Sequence, residues 1–421
     1  MGGEQMIRVL IMADDFTGAL DTGVQFSNYG VKTVVTSDLE FEFGGTTDQI
    51  EVLVFNTETR YLNKCGAYEV IKKIALKAKE ENIPYIFKKV DSALRGNVAS
   101  ELRALSDVFE DVSIPFIPAY PEQNRFSCEG ILLIDSIPVN ESVFGQDPYE
   151  PVTESHIPSL LLKEADLKTY ITKKYEIPPK EERILLIESH SDEEMLSQGN
   201  ELLINGALKI TVGCAGFAKA LANIIYKKRD TTQNDMKLPL LIVSGSVNPV
   251  TKKQVVFAEV NGYERISLTL EQLWDKQYWD TEKGQENIYQ YLKIEQPFMF
   301  ETFGNVSTDQ VYQLPDQGNE LRFRIGQSLG YLVKNLISNG IKRTILFTGG
   351  DTLYQSMRVL GITEIKPLKE LFPGIVLGNI DFKDEKHYVI TKSGGFGDED
   401  LFIKLNALIK DKGDAHYVKS I

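Results

Sequence analysis

The chain has 421 residues, and at about 150 residues per domain this length predicts two or three domains. Its 46 Lys and Arg residues and 60 Asp and Glu residues give a formal net charge of −14, which disfavours a protein that neutralises nucleic-acid phosphates. A hydrophobic content of 42% excludes a chain that is disordered for want of apolar residues. A local cationic pocket for a small anion stays compatible with this composition, because net charge says little about one site.

Cysteine usage and hydropathy bear on the cellular compartment. Cys65, Cys128 and Cys214 are too few and too scattered for a disulfide framework or a cysteine-ligated zinc site. The N-terminus lacks the basic and apolar pattern of a signal peptide, and no stretch approaches the run of about 18 apolar residues that a membrane helix needs. We therefore expect a cytoplasmic protein with a small-molecule partner and no membrane or nucleic-acid partner.

The first half of the chain alternates strand-like and helix-like segments, with helices predicted at Phe16–Tyr29, 66–80 and 97–109. This alternation, with continuously apolar strands, predicts a parallel sheet covered on both faces. Residues 120–156 are rich in Pro, Gly, Asn and Ser, and they predict a long functional loop with a hairpin. The predicted strands are Ile7–Met12, Val31–Thr36, Val52–Phe55, Tyr85–Lys89, Val112–Ile117, Ile184–Ile187 and Leu208–Val212.

A polar segment, Lys227–Lys237, has no apolar period and predicts a linker between domains 1–228 and 238–421. Beyond it a helix is expected to begin near Pro249, and residues 309–339 have a partly helical pattern. The expected fold class is α/β, with two domains that each contain a largely parallel sheet flanked by helices. The predicted strands here are Leu240–Ser244, Arg265–Thr269, Thr344–Phe347 and Tyr388–Thr391.

Two adjacent carboxylates, Asp14 and Asp15, follow the first predicted strand. Ligands of open α/β sheets bind at the carboxyl ends of strands. Carboxylates at this place can accept hydrogen bonds from hydroxyls, hold Mg²⁺ through water, or accept a proton. The structural alternative is a helix N-cap, and two carboxylates together favour the functional interpretation.

A second candidate cluster follows the strand at Tyr85–Lys89. Lys89 and Arg95 flank a strand-to-helix turn and could clamp a carboxylate, Arg95 in bidentate geometry. Asp91 lies between these two cations and should stay ionised, ready to bind a hydroxyl or act as a base. Arg60, just past another strand, adds a further cation. A small polyhydroxylated carboxylate would suit this combination, whereas the structural alternative is a surface ion-pair cluster.

Three glycine-rich turns in the second half each follow a predicted strand. Glycines at such turns let backbone N–H groups approach phosphate oxygens, and Asp351 is placed to hold a Mg²⁺ that bridges phosphates. Together the turns predict a nucleotide site, although the chain contains no G-x-x-x-x-G-K-[ST] motif and no G-x-G-x-x-G after the first strand. The candidate nucleotide-binding residues are Ser246, Gly349, Gly350, Asp351, Thr352, Gly394 and Gly395.

Together these segments resemble the four-carbon acid sugar kinase family, a family long catalogued as a domain of unknown function. The similar motifs run through almost the whole chain. They are Ala13–Ala19 (ADDFTGA) with Asp21, Lys88–Asn97 (KKVDSALRGN), Pro118–Pro121 with Arg125 and Gly130, Asp147-Pro148, Pro151–His156 (PVTESH), Gly213–Ala218 (GCAGFA), Gly245-Ser246, Thr348–Thr352 (TGGDT), Pro373-Gly374 and Lys392–Gly397 (KSGGFG).

The resemblance implies a two-domain kinase that binds a sugar acid in its N-terminal domain and ATP in its C-terminal domain, with the active site in the interdomain cleft. It implies phosphorylation of a terminal hydroxyl of threonate, erythronate or a 3-oxo-tetronate, with Mg²⁺ on Asp351. By motif it assigns substrate binding to Asp15, Arg60, Lys89, Asp91 and Arg95, and nucleotide binding to Ser246, Gly349–Thr352 and Gly395.

Three questions stay open at this stage. Either Asp15 or Asp91 could accept the proton of the substrate hydroxyl. A non-catalytic protein that binds a sugar acid and regulates a partner is the alternative function, although it could dispense with the glycine turns. A homodimer is expected for an enzyme of this size.

Overall fold

A computed structural model describes residues 7–43, 50–147, 151–230, 236, 239–305 and 319–414. The contacts divide the chain into two compact units, Met1–Thr232 and Gln233–Ile421. The predicted linker at 227–237 lies partly outside the described residues. In the described ranges, no helix combines the length and the apolar content that crossing a bilayer requires.

The first unit contains a sheet of eight strands in the order β2-β3-β1-β4-β11-β5-β10-β9, and every described pairing within it is parallel. Its strands are β1 (Val9–Ala13), β2 (Thr33–Thr36), β3 (Val52–Asn56), β4 (Tyr85–Lys89), β5 (Ile114–Ile117), β9 (Lys168–Thr172), β10 (Glu182–Ile187) and β11 (Ile210–Gly213). The helices of this unit are α1 (Phe16–Ser27), α2 (Lys64–Glu80), α3 (Val98–Val108), α4 (Ile157–Ala165), α5 (Asp192–Ile204) and α6 (Ala215–Ile225).

Helices cover this sheet on both faces, as the apolar strands predicted. Successive side chains of a strand point to opposite faces. Lys88 on β4 reaches Glu101 of α3, whereas the next residue, Lys89, lies against Gly18 of α1. Helices α1 and α3 therefore lie on opposite faces, and strands β1 and β3 between them are buried along their whole length.

The strand register brings several candidate residues to one edge of the sheet. Ala13 at the end of β1 pairs with Asn56 of β3 on one side and with Lys89 of β4 on the other. Lys89 in turn pairs with Gly213 of β11. Because these strands are parallel, the segments that follow them start from the same edge.

The Pro- and Gly-rich region at 120–156 contains the hairpin that its composition predicted, extended by a third strand. Strands β6 (Arg125–Cys128), β7 (Ile131–Ile134) and β8 (Ile137–Pro138) form a small antiparallel sheet. Its first turn has Glu129 at φ +51° and Gly130 at φ +79°, the left-handed pair that a two-residue hairpin of type I′ requires.

The second unit contains a mixed sheet in the order β13-β14-β12-β15-β18-β17-β16. Pairings from β13 to β18 are parallel, whereas β18, β17 and β16 form an antiparallel meander that the sequence pattern did not predict. The strands are β12 (Leu241–Ser244), β13 (Glu264–Ser267), β14 (Phe298–Glu301), β15 (Ile345–Thr348), β16 (Glu364–Phe372), β17 (Ile375–Phe382) and β18 (Glu385–Lys392). The helices are α7 (Pro249–Val260), α8 (Leu270–Trp274), α9 (Glu282–Tyr291), α10 (Asn319–Ser338), α11 (Gly350–Leu360) and α12 (Leu401–Asp414).

Candidate functional site

Asp15 caps helix α1 and also faces the candidate site. Its backbone is extended, and its Oδ1 accepts a hydrogen bond from the N–H of Gly18 at 3.0 Å, so the N-cap interpretation is correct. Its Oδ2 accepts a hydrogen bond from Nη1 of Arg60 at 2.9 Å. One oxygen of this carboxylate therefore caps α1, and the other pairs with Arg60.

Arg60 gathers the predicted carboxylates around one buried guanidinium. Its Nε lies 2.7 Å from Oδ2 of Asp14, and its Nη2 lies 3.5 Å from Oδ1 of Asp91. Burial lowers the pKa of Arg60, but the carboxylates of Asp14, Asp15 and Asp91 outweigh it and raise that pKa well above its ordinary value. Burial likewise raises the pKa of Asp14, and the charge of Arg60 with two nearby lysines reverses this shift to a net lowering.

Asp91 and Arg95 form the bidentate pair that this cluster was predicted to offer to a ligand. Arg95 donates to Asp91 from Nε and from Nη2, each at 3.0 Å, and the backbone N–H of Ala93 adds a bond at 3.1 Å. Burial opposes ionisation of Asp91, but Arg95 and Arg60 outweigh it and hold its pKa well below the usual range. Asp91 thus stays ionised, and the guanidinium of Arg95 is already bound to a carboxylate of the protein.

A fully buried ion pair, absent from the predicted site residues, lies beneath this cluster. Nζ of Lys88 is 3.1 Å from Oε2 of Glu101, and both side chains are inaccessible to solvent. The same Nζ donates to the carbonyl of Lys89 at 2.9 Å, and Thr59 donates to Glu101. The available signal was Lys88 itself, because a charged residue inside a strand buried on both faces needs a partner.

Lys89 differs from its neighbours because its ammonium has no protein partner in the described ranges. Its side chain is buried, yet it makes neither a hydrogen bond nor an ion pair with a described residue. A Cβ on Gly18 would lie 2.7 Å from Nζ of Lys89, which places the ammonium against the first turn of α1. A buried cation in this condition is stabilised by an anion.

Arg125 is a further cation at this edge, and its sequence motif alone did not predict a role for it in binding. It begins β6, donates from Nη1 to the hydroxyl of Ser92, and lies 5.0 Å from the ring centre of Phe144. The signal in the sequence was its place inside the Pro- and Gly-rich region. Only folding reveals that this region carries Arg125 to the Asp91–Arg95 turn.

In the second unit, the three predicted glycine turns meet. A Cβ on Gly394 would lie 2.5 Å from Oγ of Ser246, and one on Gly245 would collide with the hydroxyl of Thr352. Gly349 caps α11 at φ +96°, and its N–H bonds to the carbonyl of Lys392 at 2.8 Å. Glycine is required here because the neighbouring turns approach more closely than side chains allow.

Lys392 holds the last of these turns from inside the unit. Its buried Nζ donates to the carbonyls of Ser393 and Gly394, each at 3.0 Å, and to Oγ1 of Thr251 at 3.1 Å. Burial lowers the pKa of Lys392 to about 7. The carbonyls of the turn are thereby drawn towards the interior of the unit.

The remaining predicted nucleotide residues lie at the N-terminus of α11. Gly350, Asp351 and Thr352 form its first turn, where backbone N–H groups lack partners within the helix. Asp351 is half-buried. In the part of the chain that the structure describes, no group of three or more His, Cys, Asp or Glu side chains forms a metal site.

Comparison with family models matches both units. Residues 9–221 match a model described as a sugar-binding N-terminal domain. Residues 241–402 match one described as a nucleotide-binding C-terminal domain. Together the two models span all of the candidate site residues predicted from the sequence.

Curated relatives match over almost their whole length. A D-threonate kinase of Salmonella typhimurium is 24% identical over 93% of this chain and 96% of its own. A D-erythronate kinase of Heliobacterium modesticaldum is 25% identical over 94% and 95%. A 3-oxo-tetronate kinase of Salmonella typhimurium is 24% identical over 95% and 98%. These relatives differ in substrate at nearly equal identity.

Solved structures share the fold. A Salmonella typhimurium LT2 crystal structure matches with a TM-score of 0.77 at 20% identity, over 94% of this chain and 98% of its own. A Haemophilus influenzae protein matches with a TM-score of 0.73 at 20% identity, over 95% and 100%.

Proposed function

Because the chain belongs to the tetronate kinase family, we propose that it transfers the γ-phosphoryl group of ATP to a terminal hydroxyl of threonate, erythronate or a 3-oxo-tetronate. The observation that carries this proposal is the pair of sites that the two units contain. One unit presents carboxylates beside a cation that has no partner among the described residues, and the other presents three converging glycine turns.

The first unit has the groups that a sugar acid needs. Arg60 holds Asp14 and Asp15 in place, and carboxylates held this way can accept hydrogen bonds from substrate hydroxyls. Lys89 supplies positive charge for the carboxylate of the acid. With the acid group bound at Lys89, the hydroxyl that reacts would lie beside a carboxylate.

Asp15 is the better candidate for accepting the proton of that hydroxyl. The pKa of Asp91 is held well below the usual range by Arg95 and Arg60 after burial is overcome, which makes Asp91 a weak base. The side chain of Asp15 is 15% exposed, against 9% for Asp91 and 1% for Asp14. Asp91 then positions Arg60 and Arg95 and does not transfer protons itself.

The second unit fits a nucleotide and its metal. Side chains at Gly245 and Gly394 would fill the space between the turns, and the first-turn N–H groups of α11 suit phosphate oxygens. A Mg²⁺ that travels with a nucleotide needs only one or two protein carboxylates besides phosphates, so Asp351 alone fits that kind of site. ATP supplies the phosphoryl group, and Mg²⁺ supplies charge neutralisation when bound.

The experiment is an ADP-release assay over threonate, erythronate and 3-oxo-tetronates, with the wild type and Asp351→Asn. We expect turnover with one of these acids and loss of at least about 100-fold in kcat for Asp351→Asn, because phosphoryl transfer depends on charge stabilisation. Asp381→Asn is the matched control, since the side chain of Asp381 is half exposed and pairs with Lys366. Absence of ATP binding by calorimetry with Mg²⁺ present would contradict the proposal.

Two further assignments belong to the same proposal. We place the protein in the cytoplasm, which its three unpaired cysteines suit. We also retain the homodimer as a prediction, which light scattering of the purified protein would test.

A further inference from the structure

Arg125 is half-buried, and its contacts with the described residues leave its charge without a carboxylate counter-ion. It is the first residue of β6, and its guanidinium lies 5.0 Å from the ring centre of Phe144. Arg95 approaches the same ring at 5.3 Å. Burial lowers the pKa of Arg125, the direction expected for a cation removed from water without full compensation.

Arg125 differs from the neighbouring Arg60 and Arg95 in its lack of a carboxylate counter-ion among the described residues. Arg60 contacts three carboxylates and Arg95 forms a bidentate pair with Asp91. Within the described ranges, Arg125 forms no ion pair, and its Nε is buried without a hydrogen-bond partner. A guanidinium in that state retains a donor group that matches the geometry of a carboxylate.

Backbone and side-chain contacts bring Lys89 and Arg125 to one part of the sheet edge. Lys89 pairs with Gly213 at the end of β11, and Sγ of the next residue, Cys214, lies 3.2 Å from the carbonyl oxygen of Ala119. The residue after Ala119, Tyr120, forms a β-bridge with Arg125. The charges of both residues act on the thiol of Cys214, where burial raises the pKa and the two cations partly offset it. Both charges also act on the carboxylate of Asp91. Two cations that lack an ion pair with a described residue therefore lie at one part of the sheet edge.

We propose that Arg125 and Lys89 together bind the carboxylate of the sugar acid, and that Arg125 is the residue that makes the protein prefer an acid to a neutral polyol. The proposal rests on the proposed function for the identity of the ligand. The guanidinium of Arg125 and the ammonium of Lys89 donate to the carboxylate oxygens, while Ser92 holds Nη1 of Arg125 in position. The small antiparallel sheet then positions the cation that determines specificity for an acid.

The test compares binding of threonate and erythronate with binding of the neutral polyols threitol and erythritol by calorimetry. We expect Arg125→Gln to weaken the preferred acid by about 10- to 100-fold, the effect of losing hydrogen bonds to a charged group. Polyol and ATP affinities should stay unchanged. Arg125→Lys should fall between, because it keeps the charge and loses the planar fork.

Arg103→Gln is the matched control, since Arg103 is 42% exposed and pairs with Asp107 on α3. It should bind the acids as the wild type does. Far-ultraviolet circular dichroism checks that each variant is folded, and Arg125→Lys carries the test if Arg125→Gln is not. Unchanged acid binding in the folded variant, equal losses for acid and polyol, or a wild type that binds no acid in the panel would each overturn the proposal.

The same measurements separate this inference from the function on which it rests. If the wild type binds an acid through Arg125 but phosphorylates none, the kinase proposal fails and the carboxylate site stands. If the wild type phosphorylates a tetronate and Arg125→Gln leaves its KM unchanged, the kinase proposal stands and the role of Arg125 is refuted.

Discussion

Gly18 and Lys89 adjoin so closely that only one of them can have a side chain in the shared space. A Cβ on Gly18 would lie 2.7 Å from Nζ of Lys89 and 2.5 Å from Oδ1 of Asp15. The missing side chain at position 18 is therefore what allows the ammonium to lie against the first turn of α1. It also keeps Asp15 in the cap geometry that faces its other oxygen to Arg60.

Gly18→Ala should displace Lys89 and raise the KM for the sugar acid by at least about 10-fold, since charged hydrogen bonds depend on placement. The KM for ATP should not change. Gly66→Ala is a close control, because Gly66 also donates its N–H to an N-cap side chain, Asn63, but a Cβ there meets nothing closer than 3.4 Å. Equal effects of the two substitutions on the acid KM would refute the steric account.

Asp15→Asn should lower kcat by about 100- to 10,000-fold, the range typical of a lost general base. Asparagine caps helices as well as aspartate does, so the start of α1 should be retained. Binding of the sugar acid, measured by calorimetry without nucleotide, should change far less than kcat. A variant with the kcat of the wild type would return the role of base to Asp91.

Lys392→Met should alter how stability depends on pH. Burial lowers the pKa of Lys392 to about 7 in the folded protein, whereas an unfolded lysine titrates near about 10.4. Between these values the unfolded chain binds more protons, so this lysine makes the wild type more stable as pH rises. The variant should lose up to about 1.4 kcal/mol per pH unit of that slope.

Urea unfolding at pH 7, 8 and 9 measures the slope for each protein. Lys386→Met is the control, because Lys386 is an exposed residue of the same strand. If Lys392→Met and the wild type have parallel pH profiles, the buried amine does not titrate in this window.

Lys88→Met should destabilise the protein by about 3–5 kcal/mol, because it leaves the buried Glu101 without its cation. The double variant Lys88→Met/Glu101→Leu should recover most of this loss, since an apolar pair replaces the ion pair. Lys342→Met breaks an exposed pair with Glu385 and should cost no more than about 1 kcal/mol. A double variant no more stable than Lys88→Met would argue against a pairwise interaction.

Much of the first unit's sheet could be predicted because its strands are buried on both faces. Strands such as β1 and β3 then appear in the sequence as continuous apolar runs between turn signals. The meander of β16 and β17 carries charged residues, Asn379 and Gly378 among its apolar ones, since part of it is exposed. That mixture weakens the pattern on which the prediction depends.

The glycine turns were likewise predictable in part. Their composition predicted close backbone approach, and the collisions that side chains at Gly245 and Gly394 would cause explain the need for glycine there. Lys392 is part of the motif, but its inward hydrogen bonds to the carbonyls of the same turn accompany one to Thr251 of α7, a contact that only the folded unit makes. The sequence alone does not show whether a lysine side chain points into the protein or towards solvent.

By itself the sequence determined the α/β class and placed Asp15, Arg60, Lys89, Asp91 and Arg95 near strand ends, because strand-end position follows from local patterns. Only the tertiary structure decided which cations are left for a ligand. Arg95, a predicted carboxylate clamp, is bound by Asp91, whereas Arg125 reaches the same edge from a separate small sheet without such a pair among the described residues. Whether a cation has a counter-ion depends on distances between segments that are remote in sequence. How strongly the two charges interact depends on how deeply they are buried.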